Sequence, residues 1–233
     1  MKIFINQRKT LACMTLTAVA LLGLGAFQVQ GQSITYNFSD NTSDGWANAG
    51  FSGSPVATVQ NIGGQNYIYL ALTGFQDGND ASDSAGNLAG FNAAMSAAIN
   101  NPSAYDVSYN YYINTAAFTG ATYLQLGVFI NTGKGYYVQD YSTPNQISFN
   151  GTQLSSGAIF TGTVTENLGT MGVSDPNAAS ETYYRLGLIE NGNGTGVGVD
   201  YTDISVYSVP EPASLALAGL GGLSMLFLRR RKA

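Results

Sequence analysis

Tyr105-Asp-Val-Ser-Tyr-Asn-Tyr-Tyr-Ile-Asn114 decides the fold. Tyr105, Val107, Tyr109, Tyr111 and Ile113 share one parity, while Asp106, Ser108, Asn110 and Asn114 share the other. Successive side chains of an extended chain point to opposite faces, so this decamer reads as a strand with one dry face. Outward from it, Leu124, Leu126, Val128 and Ile130 repeat the pattern, with Gln125 and Asn131 on the polar side. Ile68, Leu70 and Leu72 make a third apolar face, and Tyr184, Leu186 and Leu188 a fourth. Asn131-Thr-Gly-Lys-Gly135 reads as a hairpin loop between strands at Tyr123–Ile130 and Tyr136–Tyr141. Weaker strands fall at Ile34–Phe38, Val56–Gln60, Gln146–Phe149 and Ile159–Val164. Strands with a single dry face need a second sheet to cover it. The pattern therefore predicts an all-β, antiparallel sandwich in one domain.

Two features break the alternation. Leu88, Phe91, Met95, Ala98 and Ile99 form an apolar stripe at helical spacing, ending before Pro102. This predicts one short helix lying as a lid over an open end of the sandwich. In the last strand Val197, Val199 and Tyr201 share one parity, but Ile204 and Val206 take the other. Both sets can face inward only if a bulge near Tyr201-Thr202 switches the register, with Asp200 and Asp203 flanking it.

Both ends of the chain read as addresses. Lys2, Arg8 and Lys9 precede an apolar run from Leu11 to Phe27, with Val29 and Gly31 as small or modest residues before a cleavage point. This is the order of a secretory signal peptide cut after Gly31 by signal peptidase, with Gly25-Ala26 as the alternative site. Cys13 follows the basic residues with no apolar stretch before it, so it is an ordinary residue of that signal. At the other end stand Val209-Pro210-Glu211-Pro212, an apolar run from Ala213 to Leu228, and Arg229-Arg230-Arg231-Lys232. A helix of that run rises about 24 Å, slightly short of the ~30 Å hydrocarbon core, and its basic flank stays in the cytoplasm. The segment reads as a marginal transmembrane anchor.

The three ordered elements of that tail resemble the PEP-CTERM sorting signal of Gram-negative bacteria. The resemblance implies a membrane-anchored intermediate in the inner membrane, cleavage near the motif by an exosortase, and delivery to the cell surface or the exterior. Proteins carrying it are commonly linked to exopolysaccharide or biofilm matrix. The chain thus divides into a signal peptide at 1–31, a sandwich at 32–208 and a sorting segment at 209–233.

Between the addresses, Lys134 and Arg185 are the two basic residues against thirteen acids, a formal charge of −11. Phosphate binding needs clustered Lys and Arg, so nucleic acid is excluded as a partner. The whole chain has no histidine, and its one cysteine lies in the signal. No disulfide can staple the fold, and Ser-His-Asp, Cys-His and Cys/His zinc chemistry are all absent. Glycosidases need a pair of carboxylates, but Glu166, Glu181 and Glu190 are scattered with no compact acid motif. The expectation is a non-catalytic protein. Asn37, Asn41, Asn150 and Asn193 begin Asn-x-Ser/Thr sequons that a bacterial exported protein usually leaves bare.

Asn37-Phe-Ser-Asp-Asn-Thr-Ser-Asp-Gly-Trp46 near the start, with Val199-Asp-Tyr-Thr-Asp-Ile-Ser-Val206 near the end, resembles the opening and closing strands of galactose-binding-like jelly rolls. These occur in many carbohydrate-binding modules. The resemblance implies two antiparallel sheets with first and last strands adjacent, often with a structural calcium between them. That reading points to Asp200 with Asp40 or Asp44, although Ser39 stands where the family has an acid directly after the Phe. Trp46 is expected as a core anchor beside the first strand.

Two further groups carry chemistry. Asp77-Gly-Asn79-Asp80-Ala-Ser-Asp83 sets three carboxylates and an amide in a turn-rich stretch. It lacks the full EF-hand spacing, and reads either as a solvated loop or as a Ca2+ site. Tyr67, Tyr69, Tyr112, Tyr123, Phe129 and Tyr183 alternate with core positions and are expected outward, alongside Arg185 and Gln125. Aromatic planes suit the axial C–H faces of sugar rings, and cross-strand aromatic pairs also stabilise sheets with no ligand. The leading expectation is a surface or matrix protein whose outer face binds exopolysaccharide. A purely structural surface protein is the alternative, and a polysaccharide hydrolase or lyase the third.

Overall fold

In the computed structural model, residues 33–48, 57–72, 76–82, 89–135, 137–140 and 147–209 are described. They belong to one compact unit, Gly31–Val209. The expected signal peptide at 1–31 and the segment beyond Val209 lie outside the described residues. Among the described residues no helix is long and apolar enough to cross a membrane.

The described residues form twelve strands: β1 Ile34–Tyr36, β2 Trp46–Asn48, β3 Thr58–Ile62, β4 Gln65–Ala71, β5 Gln76–Ser82, β6 Tyr105–Asn114, β7 Tyr123–Thr132, β8 Tyr137–Asp140, β9 Ile147–Asn150, β10 Ile159–Asn167, β11 Tyr184–Gly192 and β12 Gly198–Ser208. They pair antiparallel in two sheets. The first has the order β10-β6-β12-β4-β3, with β1 also on β12. The second has the order β2-β5-β11-β7-β8, with β9 also on β7. The expected two-sheet sandwich is therefore present, and its first and last strands are adjacent, Tyr36 opposite Ile204.

The core follows the parity of each strand. Val107, Tyr109 and Ile113 of β6 meet Leu124, Leu126, Val128 and Ile130 of β7 in one buried cluster with Leu186, Leu188, Val199 and Tyr201. Trp46 is buried as expected, its ring edge-on to Tyr36 at 5.6 Å. Tyr36 in turn meets Phe91 at 6.4 Å. Phe91 opens the helix α1, Phe91–Asn100, whose buried residues Phe91, Ala94, Met95, Ala98 and Ile99 make one stripe. The helix starts at Gly90, whose φ of 87° suits glycine, so the stripe is one turn shorter than the sequence pattern suggests. Leu88 lies outside the described residues.

The bulge in β12 is present, one residue later than expected. Thr202 faces Asn110, but Ser205 faces Ser108, so one extra residue sits between them on β12. Asp203 takes it up with φ 52°, and the parity switch turns both Tyr201 and Ile204 inward.

The stretch at Asp77 corrects an expectation. It is not a loop but the strand β5, paired to β11 on one side and β2 on the other. Asp77 stands opposite Glu190 and Asp80 opposite Gly187, register positions of opposite parity. Asp83 lies outside the described residues.

Candidate functional site: a tyrosine-lined groove on the outer face of one sheet

Four strands build the site. On β12, Asp200 faces outward between the inward Val199 and Tyr201, and it stands directly opposite Tyr69 of β4 and Tyr112 of β6. Tyr67, two residues from Tyr69 on the same face of β4, reaches Tyr112 with ring centroids 6.0 Å apart. Gln60 of β3 pairs with Tyr67 at the sheet edge. Beside the Tyr67–Tyr112 pair lies an open groove of about 510 Å³, with Gln60, Tyr69, Tyr112, Asn114 and Asp200 among its lining. Phe118 and Gly196 also line it.

Gly198 shapes the floor. A Cβ there would collide with the hydroxyl of Tyr69 and come within 2.6 Å of the Leu70 carbonyl. The missing side chain lets Tyr69 lie down against β12, as glycine within a strand commonly permits close approach.

Asp200 is the chemical centre of the groove. It is 7% exposed, and its Oδ1 is buried without a hydrogen-bond donor. Burial pushes its carboxyl up from the ordinary value of 3.8 to about 7, because desolvation disfavours the charged form. Its charge, second to burial of the ring, helps raise the hydroxyl of Tyr67. Asp203, by contrast, is satisfied: its Oδ2 accepts from Asn110 Nδ2 at 2.8 Å.

The expected aromatic residues do not share one face. Tyr67, Tyr69 and Tyr112 come together on the first sheet, while Tyr123, Phe129 and Arg185 belong to the second. Phe129 is 2% exposed rather than projecting outward. The register sets it opposite Gly187, and Ile189, also buried, opposite Gly127, so each bulky side chain faces a residue with none of its own. Tyr123 and Arg185 are half-buried, and Tyr183 just precedes β11, its carbonyl accepting from Gly133 N at 3.1 Å. Gln125 is taken by Asn191, whose Nδ2 donates to it at 2.8 Å.

Nor does Asp200 join Asp40. Asp40 lies in the exposed turn after β1, accepting from Thr42 N at 2.9 Å and Thr42 Oγ1 at 2.8 Å, bonds that hold its carboxyl below the usual range. Thr42 Oγ1 also lies 3.2 Å from Asp44 Oδ1, so one hydroxyl proton serves two acids in turn. Burial, and then the charge of Asp40, raise Asp44. Among the described residues no three acidic side chains gather as metal ligands.

Sequence reading missed Gln60, Asn114 and Gly198 as parts of the groove. Parity had set Asn114 on the polar side of its strand and could have done the same for Gln60, and a glycine inside a strand could have flagged the close approach.

The fold is a jelly-roll β-sandwich similar to that of solved carbohydrate-binding modules. The carbohydrate-binding module CBM28, specific for non-crystalline cellulose, superposes with a TM-score of 0.50 and 16% identity, covering 75% of this chain and 94% of that one. CBM27-1 of Caldicellulosiruptor saccharolyticus, solved with mannohexaose, gives 0.44 and 11%, covering 75% and 96%. The xylan-binding CBM22-1 of Paenibacillus barcinonensis Xyn10C gives 0.44 and 13%, covering 78% and 98%. No curated protein matches the sequence. Residues 208–232 match the PEP-CTERM protein-sorting motif. That motif marks an exported protein, anchored in the membrane at first and processed by an exosortase.

Proposed function

We propose that this is a non-catalytic component of the cell surface or extracellular matrix that holds a polysaccharide strand in the groove over β4, β12 and β6. The observation that carries the reading is the meeting of Tyr67 and Tyr112 across the strand that bears Asp200. Tyrosine rings offer apolar planes with few rotatable bonds to sugar C–H faces, while Gln60, Asn114 and Asp200 offer polar partners to hydroxyls. The groove is open rather than enclosed, which leaves room for a sugar chain to run on beyond it. The jelly-roll fold and the export signal are both consistent with this task, though a fold hosts many functions. Signal peptidase and exosortase are the processing partners in this reading, and exopolysaccharide the ligand.

The test uses the protein purified from an exosortase-bearing host. Affinity electrophoresis against a panel of soluble polysaccharides is expected to retard the wild type. Tyr69→Ala and Tyr112→Ala should each lose most of that retardation, about 1–3 kcal/mol by the usual scale of aromatic contacts. Arg185→Ala, on the other sheet, should behave as wild type. A wild-type protein blind to every glycan would remove the binding role and leave bulk and charge as the protein's task. Processing is checked separately by an epitope fused after Ala233, which should be absent from the mature protein.

A further inference from the structure

We propose that the groove selects a polysaccharide bearing free amino groups, whose ammonium pairs with Asp200 between Tyr69 and Tyr112. The proposal rests on the glycan-binding reading above and names the chemical class of its ligand.

Asp200 is more than nine-tenths buried, lines the cavity, and leaves Oδ1 without a donor. A buried carboxylate lacking a partner is costly, and a bound cationic donor removes that cost. A neutral sugar laid over Asp200 deepens its desolvation and brings no opposing charge. An anionic sugar adds a like charge. An ammonium supplies both charge and N–H donors, and tyrosine ring faces attract it further.

Among the described residues no basic side chain competes for that role. The two basic residues between Gln32 and Val209 are held elsewhere: Lys134 follows β7 with its Nζ on Ser180, and Arg185 lies on β11 of the second sheet. The groups facing Asp200 from the neighbouring strands are Tyr69 and Tyr112, neither of them basic. Asp203, three residues along its own strand, already accepts from Asn110 and adds a second negative charge. A formal charge of −11 over the domain draws cations toward the groove. The high position of the Asp200 carboxyl, caused by burial alone, records the same want of a counter-charge.

The experiment is isothermal titration of the processed protein with tetramers of β-1,4-glucosamine, of its N-acetylated form, of glucose and of galacturonate. The glucosamine tetramer should bind at least about tenfold tighter than the acetylated and glucose tetramers, the scale of one desolvated cation–π and ion-pair contact. The galacturonate tetramer should bind most weakly. Asp200→Asn should bring the ratio near one, although it removes one charge of thirteen acids. A preference that survives Asp200→Asn reflects bulk charge and overturns the proposal. Equal or tighter binding of the neutral tetramers also overturns it while leaving the glycan-binding reading intact. Silence toward all four and toward the wider polysaccharide panel overturns both. The comparison of sugars on the wild type stands even if the variant folds poorly.

Discussion

Tyr67 and Tyr112 belong to strands that never pair, yet their rings meet at 6.0 Å by reaching across β12. The strand they bridge carries Asp200, so an acid on the outer face of a sheet is as hidden as many core residues. A surface carboxyl is normally among the most exposed groups in a protein. Here the aromatic neighbours that form the groove also impose a cost on its central acid.

That cost has a sign and a pH window. The unfolded chain releases the Asp200 proton near pH 3.8, while the native state keeps it until about pH 7. Between those values the native state binds more protons, so stability falls as pH rises. Below pH 4 both states are protonated and the penalty vanishes; above pH 7 it is constant. With solvent at the groove mouth screening part of it, the loss is on the order of 2 kcal/mol. Asp200→Asn cannot ionise. Urea unfolding at pH 4, 6 and 8 should show the variant gaining on the wild type by about that amount across the window. A constant gap would mean that the carboxyl is well solvated.

Gly198 supports a second expectation. A methyl group at this position meets the Tyr69 hydroxyl and the Leu70 carbonyl, one of which is rigid backbone. Gly198→Ala should therefore cost about 1–3 kcal/mol, the range for overpacking, with Tyr69 swinging out of place. Denaturant midpoint and sugar affinity should fall together. A variant that loses neither would show that the tyrosine does not lie where the strand lets it.

How much of this was legible depends on the strand. Tyr105–Asn114 announced itself through strict alternation, and it forms β6 with those boundaries. The bulge was legible too, because two apolar sets of opposite parity cannot both be buried on a regular strand. β5 was not: Gln76-Asp-Gly-Asn-Asp-Ala-Ser82 consists of turn formers and polar residues, with no alternation to read. It is a strand because β2 and β11 pair with it from both sides, tertiary context overriding propensity. The short helical turn α2, Gly151–Leu154, was missed despite a readable cue, Asn150 and Gln153 forming a capping box. For the groove, parity placed Tyr67, Tyr69 and Tyr112 outward, but it could not say which outer face each would share. That follows from strand order, which brings β4 and β6 to either side of β12 and sends β7 and β11 to the other sheet.

Asp203 tests the bulge that aligns this arrangement. Its φ of 52° lies where aspartate and asparagine are tolerated and β-branched residues are not. Its carboxylate accepts from Asn110 Nδ2, while Asn110 Oδ1 accepts from Thr163 Oγ1 at 2.6 Å, tying β12 to β6 and β6 to β10. Asp203→Asn keeps both the backbone tolerance and an acceptor oxygen, so its stability should stay within about 0.5 kcal/mol of wild type. Asp203→Gly removes the strain with the hydrogen bond and should lose about 1 kcal/mol. Asp203→Val loses the bond and forces a branched side chain into the left-handed region, at about 2–3 kcal/mol. The ordering decides the mechanism: a valine variant as stable as the asparagine one would mean that β12 had abandoned the bulge. The register could then no longer turn Tyr201 and Ile204 inward together, because a slip of one residue reverses every side chain beyond it.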